Sequence, residues 1–292
     1  MYVKRLNRNF ELLDTPVAHK GIYGKNTNGD INIRENSLES IKLAILLNIP
    51  FEFDIHQTKD NIPVIYHDFD ILLNNTKYNI RKYTLQEIRE ITKDELYIPT
   101  LEEIIDLNKE KKVPMMLDFK ETSGIFLTKY RQNIINLLKD YDGEYAIEAF
   151  NPFFVLFMGR KLPNALRGQL ICRGKSLIDN LNFKKNSNVG KAYEHIQSLI
   201  CFISCADYIA MELHPSSKWN CKIQKTVLKK VDNLQDLIIE FTANATKKPV
   251  LGWTYTKVSD KFISPHLFRN YIFDTPTGCL EEYIEIYKSL LY

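Results

Sequence analysis

The sequence predicts an α/β chain folded as a parallel (β/α)8 barrel, a single domain over residues 1–292. Three observations predict it. Strand-like and helix-like runs alternate from end to end, and repeated βα units build parallel sheets. About eight such units occur, the number that closes a barrel. Neither a Gly-rich dinucleotide loop after the first strand nor a GK[ST] phosphate loop is present, which disfavours the open, doubly wound rival. Polar side chains suited to chemistry also recur at the ends of strand-like runs, where barrels of this kind carry their sites.

The elements follow in order. Residues 15–19 (TPVAH) read as a strand entering Gly21, followed by a long polar loop, GIYGKNTNGDINIREN. Residues 37–48 show helical spacing, with Asn36 or Ser37 as N-cap. The second strand is 51–55, and 63–66 is a short extended piece that begins an insertion after it. Helices 84–91 and 100–108 each open on a threonine with Glu or Gln close behind, the capping-box pattern. Strands at 113–119, 145–149 and 166–172 alternate with helices at 125–139 and 152–160. Residues 174–205 exceed a minimal βα connection and are expected to be a helical insertion after strand 5. The remaining strands are 208–213, 250–254 and 270–273. Helices are expected at 222–230, 234–246 and 278–291.

Composition excludes several classes. Hydrophobic content of 45% and charged content of 26% are those of a soluble globular chain. A formal charge of +3 is too small to argue for nucleic acid, and the lysine clusters at 109–112 and 184–185 read as solvated faces. Five cysteines without a CxxC pair argue against a disulfide framework and a zinc ribbon. No apolar run reaches the roughly 18 residues of a membrane span, and the first residues lack a signal-peptide core. A cytoplasmic location is expected; the oligomeric state is left open.

The chemistry concentrates in PFEFDIHQTKDNIPVIYHD. In a strand, Glu52 and Asp54 share one face. Two adjacent buried carboxylates repel unless a cation or protons lie between them, and an oxygen-ligand metal site resolves that conflict. His67 closes the next extended piece and His19 the first strand, both acid/base groups suited to neutral pH. Asp118 and Lys120 end the third strand on one face, Glu212 ends a later one and Trp253 lies on the seventh. The pattern is that of a metal-assisted hydrolase. His56, His195, His214 and His266 read as structural, and Asp274 as a cap of the last helix.

The ordered segments VAHKG, RENS, FEFDI, VIYHD, LDFK, FNP and GWTYT resemble the glycerophosphodiester phosphodiesterases, over about residues 16–276. The resemblance implies a TIM barrel of the phosphodiesterase type, a divalent cation (Mg²⁺ or Ca²⁺) and an acid/base pair, His19 and His67. It places Glu52, Asp54 and Asp118 on the metal. Lys20 and Lys120 would hold the phosphate, Glu35 and Asn36 would support the first histidine and the metal shell, and Glu212 and Trp253 would line the substrate pocket. The reaction implied is hydrolysis of a small or polymeric phosphodiester to an alcohol and sn-glycerol 3-phosphate. Two alternatives are a lyase that stops at a cyclic phosphate and a catalytically silent barrel that binds phosphorylated headgroups. Lys20 stands where the family has Arg, and Asp118 where it usually has Glu.

Overall fold

The computed structural model describes residues 9–120, 128–171, 203–213, 243, 247–256, 268–275 and 278–291. Eight parallel strands form a closed barrel: β1 (Val17–Ala18), β2 (Phe51–Gln57), β3 (Met115–Phe119), β4 (Tyr145–Ala149), β5 (Leu166–Ile171), β6 (Tyr208–Glu212), β7 (Val250–Tyr255) and β8 (Asn270–Phe273). Closure falls to the shortest strand. Ala18 pairs with Phe273 of β8 on one side and Phe51 of β2 on the other.

Alternation along the strands sorts side chains into two layers. Phe51, Phe53 and Ile55, with Met115, Leu117, Phe119, Tyr145 and Ile147, face outward into a shared apolar layer. Helices α1 (Leu38–Leu47), α3 (Leu101–Asn108), α4 (Lys129–Leu138), α5 (Pro152–Lys161) and α6 (Leu280–Leu291) supply the other half of that layer, and α2 (Leu85–Thr92) lies outside it. The intervening residues point inward. Val17, Met116, Ala146, Leu166, Tyr208, Ala210, Leu251 and Ile272 fill the barrel interior, and Leu12 and Leu13 of a short 3-10 turn complete that cluster. The turn is tied to the amino ends of β4 and β8. Glu144 accepts the N–H groups of Glu11 and Leu12 at 3.0 and 2.7 Å, and Asn270 Nδ2 donates to the Leu12 carbonyl at 2.9 Å. With that end plugged by leucines, the opposite, carboxyl end is left for the site.

The helix starts follow their sequence signals. Thr84 with Glu87 and Thr100 with Glu103 form reciprocal capping boxes. Ser37 caps α1, with Ser40 as the reciprocal partner. The insertion after β2 is larger than the short piece expected. Pro63–Ile65 pairs antiparallel with β2, and a hairpin joins Asp70–Leu73 to Thr76–Asn79. Its turn residues Asn74 and Asn75 both have positive φ (49° and 62°), the conformation of a type I′ turn. A satellite core of Val64, Ile71, Leu73, Ile80, Ile88 and Ile98 holds it down. The helical insertion expected at 174–205 and the helices at 222–230 and 234–246 lie almost wholly outside the described residues, as do Cys172, Cys201 and Cys221. Among the described residues no helix is long and apolar enough to cross a membrane.

Candidate active site

Barrel register assembles the acidic centre. Glu52 and Asp54 point inward from β2, and Asp54 lies level with Asp118 of β3. One carboxylate oxygen from each of Glu52, Asp54 and Asp118 lies within 4.8 Å of the others, and all three residues are buried. Glu52 Oε2 accepts the Lys20 backbone N–H at 2.9 Å. Asn36 grips Asp54 twice, its Nδ2 donating to Oδ2 at 2.7 Å and its Oδ1 accepting the Asp54 N–H at 3.0 Å. Lys120 Nζ lies 2.6 Å from Asp54 Oδ1 and 2.5 Å from Asp118 Oδ2. Asp118 Oδ1 is buried with no hydrogen-bond partner among the described residues.

These neighbours divide the protons unequally. Burial, then the charges of Asp54 and Asp118, hold the Glu52 carboxyl well above the usual range. Burial pushes Asp54 up as well, but Lys120, His67, Lys20 and His19 together outweigh it and hold Asp54 low. Asp118 is raised, because burial exceeds the pull of Lys120. Lys120 stays charged; Asp118 and Asp54 more than offset its burial. A dehydrated set of three carboxyls with an orphaned oxygen fits a hard, oxygen-seeking cation.

The loop after β1 delivers two of these contacts through left-handed backbone. Lys20 and Asn36 have φ of 58° and 52°, a conformation that costs a non-glycine residue free energy and clusters at functional sites. Between them Gly21 (φ 77°) passes so close to α1 that a Cβ would lie 2.9 Å from the Ser40 carbonyl carbon. Lys20 Nζ meets both Glu35 oxygens at 3.0 and 3.1 Å. Glu35 therefore braces Lys20, the residue that follows His19.

Both histidines are anchored through Nδ1. That of His19 is 3.1 Å from Asp274 Oδ2, and its Nε2 lies 3.9 Å from Glu52 Oε2. That of His67 is 2.8 Å from Asp68 Oδ1, nearer solvent. His56, read as structural, is buried with its Nε2 3.0 Å from the His67 carbonyl oxygen and its ring edge-on to Phe69. It fixes the backbone that carries His67. His195, His214 and His266 lie outside the described residues. Asp274, read as a helix cap, instead turns its carboxylate to His19 and to two tyrosines.

The far wall is mixed. Trp253, half-buried on β7, packs edge-on against Phe150 with centroids 6.2 Å apart, and its buried Nε1 has no hydrogen-bond partner among the described residues. Glu212 lies level with it on β6 and is buried. One further acid escaped the sequence reading. Glu148 of β4 lies level with Asp118, and Tyr208 donates to its Oε2 at 2.7 Å across Gly168 of β5. A Cβ at Gly168 would meet Tyr208 Cζ at 2.3 Å. Gly168→Ala is therefore expected to displace the Tyr208 ring and destabilise the fold by about 1–3 kcal/mol, read by urea unfolding.

The fold is a TIM barrel that gathers a buried acid cluster and two carboxylate-tied histidines at one end. A sequence model of the glycerophosphoryl diester phosphodiesterase family matches residues 19–261, and the chain belongs to that family. The glycerophosphocholine phosphodiesterase of Eremothecium gossypii is 37% identical over 99 residues, 33% of this chain and 6% of that protein. The Rattus norvegicus glycerophosphocholine phosphodiesterase is 31% identical over 107 residues, 35% of this chain and 16% of that protein. The matched segments thus span only a small part of these curated relatives. Among solved structures, an Oleispira antarctica phosphodiesterase in complex with the product sn-glycerol-3-phosphate superposes with a TM-score of 0.59 at 19% identity, covering 94% of this chain and 98% of that one. A Thermotoga maritima glycerophosphodiester phosphodiesterase gives 0.59 at 15% identity, with coverage of 94% and 98%. At such identities these two show the fold.

Proposed function

We propose that this chain acts as a single barrel unit that hydrolyses glycerophosphodiesters to an alcohol and sn-glycerol 3-phosphate, with a divalent cation and two histidines. One observation carries the reading. Two imidazoles, each tied to a carboxylate through Nδ1, flank the carboxylate cluster, with His19 Nε2 3.9 Å from Glu52 Oε2 and His67 following the strand that pairs with β2. Glu52, Asp54 and Asp118 would hold Mg²⁺ or Ca²⁺, which when bound supplies Lewis-acid polarisation of the phosphoryl group. Lys20 and Lys120 offset charge on the phosphoryl oxygens. His19 removes the proton from an attacking hydroxyl, by the family resemblance the glycerol 2-hydroxyl, His67 protonates the leaving alcohol, and water then opens the resulting cyclic phosphate to sn-glycerol 3-phosphate. Asn36 keeps Asp54 aimed inward, and Trp253 and Glu212 line the pocket. A cytoplasmic setting fits this chemistry.

The names of the relatives make glycerophosphocholine the first substrate to test. Release of glycerol 3-phosphate is expected with added Mg²⁺ or Ca²⁺ and is expected to stop in EDTA. His19→Ala is expected to lower kcat by roughly a hundredfold to ten-thousandfold. Equal release by variant and wild type would remove His19 from the reaction. Phosphorus NMR showing an accumulating cyclic phosphate would favour the lyase.

A further inference from the structure

The carboxylate behind His19 is saturated. Asp274 Oδ2 receives His19 Nδ1 at 3.1 Å and the Tyr23 hydroxyl at 2.7 Å. Its Oδ1 receives the Tyr283 hydroxyl at 2.8 Å and the Thr275 N–H at 2.7 Å. Four donors match the four lone-pair positions of an ionised carboxylate, which can only accept. Burial works to raise the Asp274 carboxyl, but the His19 and tyrosine hydrogen bonds prevail and hold it below the usual range. Both tyrosine hydroxyls are pushed upward by burial and by the Asp274 charge, so they remain donors.

The donors come from separate elements. Tyr23 lies on the loop after β1, Thr275 follows β8, and Tyr283 lies on α6, fully buried. The Tyr23 and Tyr283 rings pack edge-on with centroids 5.7 Å apart, and Tyr283 also packs on Phe273. Asp274 is thus a fixed object against which the imidazole is set. A carboxylate that only accepts requires a proton on His19 Nδ1, which leaves Nε2 as the working nitrogen, facing the acidic cluster 3.9 Å from Glu52 Oε2. His67 also has a carboxylate at Nδ1, but Asp68 is mostly exposed, and among the described residues no tyrosine holds it in place.

We propose that Asp274, locked by Tyr23, Tyr283 and the Thr275 N–H, is the positioning residue that keeps His19 in its Nδ1–H tautomer with Nε2 aimed at the reacting hydroxyl. This rests on the hydrolytic reading above and deepens it. Asp274→Asn preserves shape but can turn an N–H toward the ring, which favours the wrong tautomer or a rotated imidazole.

The test uses the full chain with saturating Mg²⁺. Asp274→Asn is expected to lower kcat by at least about a hundredfold, towards the roughly 10⁴-fold that loss of a tautomer-fixing carboxylate produces elsewhere, with KM changed less than about threefold. Long-range ¹H–¹⁵N spectra of the ring, assigned by the signals lost in His19→Ala, are expected to show the His19 proton leaving Nδ1. A kcat within threefold of wild type, or a proton still on Nδ1, overturns the proposal. Should the asparagine variant fail to fold, Tyr23→Phe/Tyr283→Phe keeps the rings and the carboxylate. A mixed tautomer with kcat down about tenfold supports the proposal, and an unchanged ring spectrum overturns it. If the wild type hydrolyses no diester, the hydrolytic reading fails, while the ring spectrum still decides the role of Asp274.

Discussion

Replacing Lys120 by methionine is expected to destabilise the cation-free protein by about 3–5 kcal/mol, the cost of stripping one partner from a buried ion pair. The ammonium lies within 2.6 Å of Asp54 and 2.5 Å of Asp118. It is the ammonium that pairs directly with both carboxylates. Methionine keeps the apolar stem and removes the charge. Part of the loss will be relieved by proton uptake, since Asp118 is already inclined to hold a proton. The informative comparison is urea unfolding in EDTA against unfolding with excess Mg²⁺ or Ca²⁺. A ligand at one hundred times its Kd stabilises by about 2.7 kcal/mol. The variant should gain more from the cation than the wild type, because its carboxylates hold no ammonium in competition. Turnover should fall at the same time, because a cation near the phosphoryl oxygens is gone. Equal stability of the two proteins in EDTA would show that the ion pair contributes nothing net.

Much of this centre was legible because strand alternation is a rigid rule. Phe51, Phe53 and Ile55 demand an apolar layer, so Glu52 and Asp54 must face the other way. The same rule holds for Met116 and Asp118. The threonine caps of α2 and α3 were equally plain, since Thr84–Glu87 and Thr100–Glu103 satisfy helix-end donors locally. What stayed hidden depends on contacts distant in sequence. Asp274 and Tyr23 are brought together only by closure of β8 on β1. Nothing local in FDTP marks that carboxylate as a partner of His19. That Lys120 bridges Asp54 and Asp118 depends on the pairing of β2 with β3, which its spacing from Asp118 alone does not specify. Two signals were present and passed over. The Asn74-Asn75 pair between short apolar runs marks a hairpin. Glu148 is the lone charge within the apolar strand YAIEA, and alternation assigns it to the interior beside the acids.

Glu148→Gln is expected to stabilise the cation-free protein increasingly as pH rises. Burial, then the charge of Asp118, pushes the Glu148 carboxyl up to about 8, against an ordinary value of 4.5. Between those values the folded chain holds a proton that the unfolded chain has released. Stability from this group is therefore fully present below about 4.5 and is lost as pH climbs through 8. Glutamine is neutral throughout and still offers an oxygen to the Tyr208 hydroxyl. The variant should match the wild type near pH 4.5, then gain about 1.4 kcal/mol per pH unit, levelling off on the order of 4–5 kcal/mol above pH 8. Urea unfolding at pH 5, 7 and 9 in EDTA measures the difference. Excess Mg²⁺ or Ca²⁺ supplies a second reading: a cation on Asp118 neutralises one cause of the raised value, so the advantage of the variant should shrink when the site is filled. A difference that stays flat with pH would mean that Glu148 is already ionised beside Asp118, and that Tyr208 alone compensates its burial.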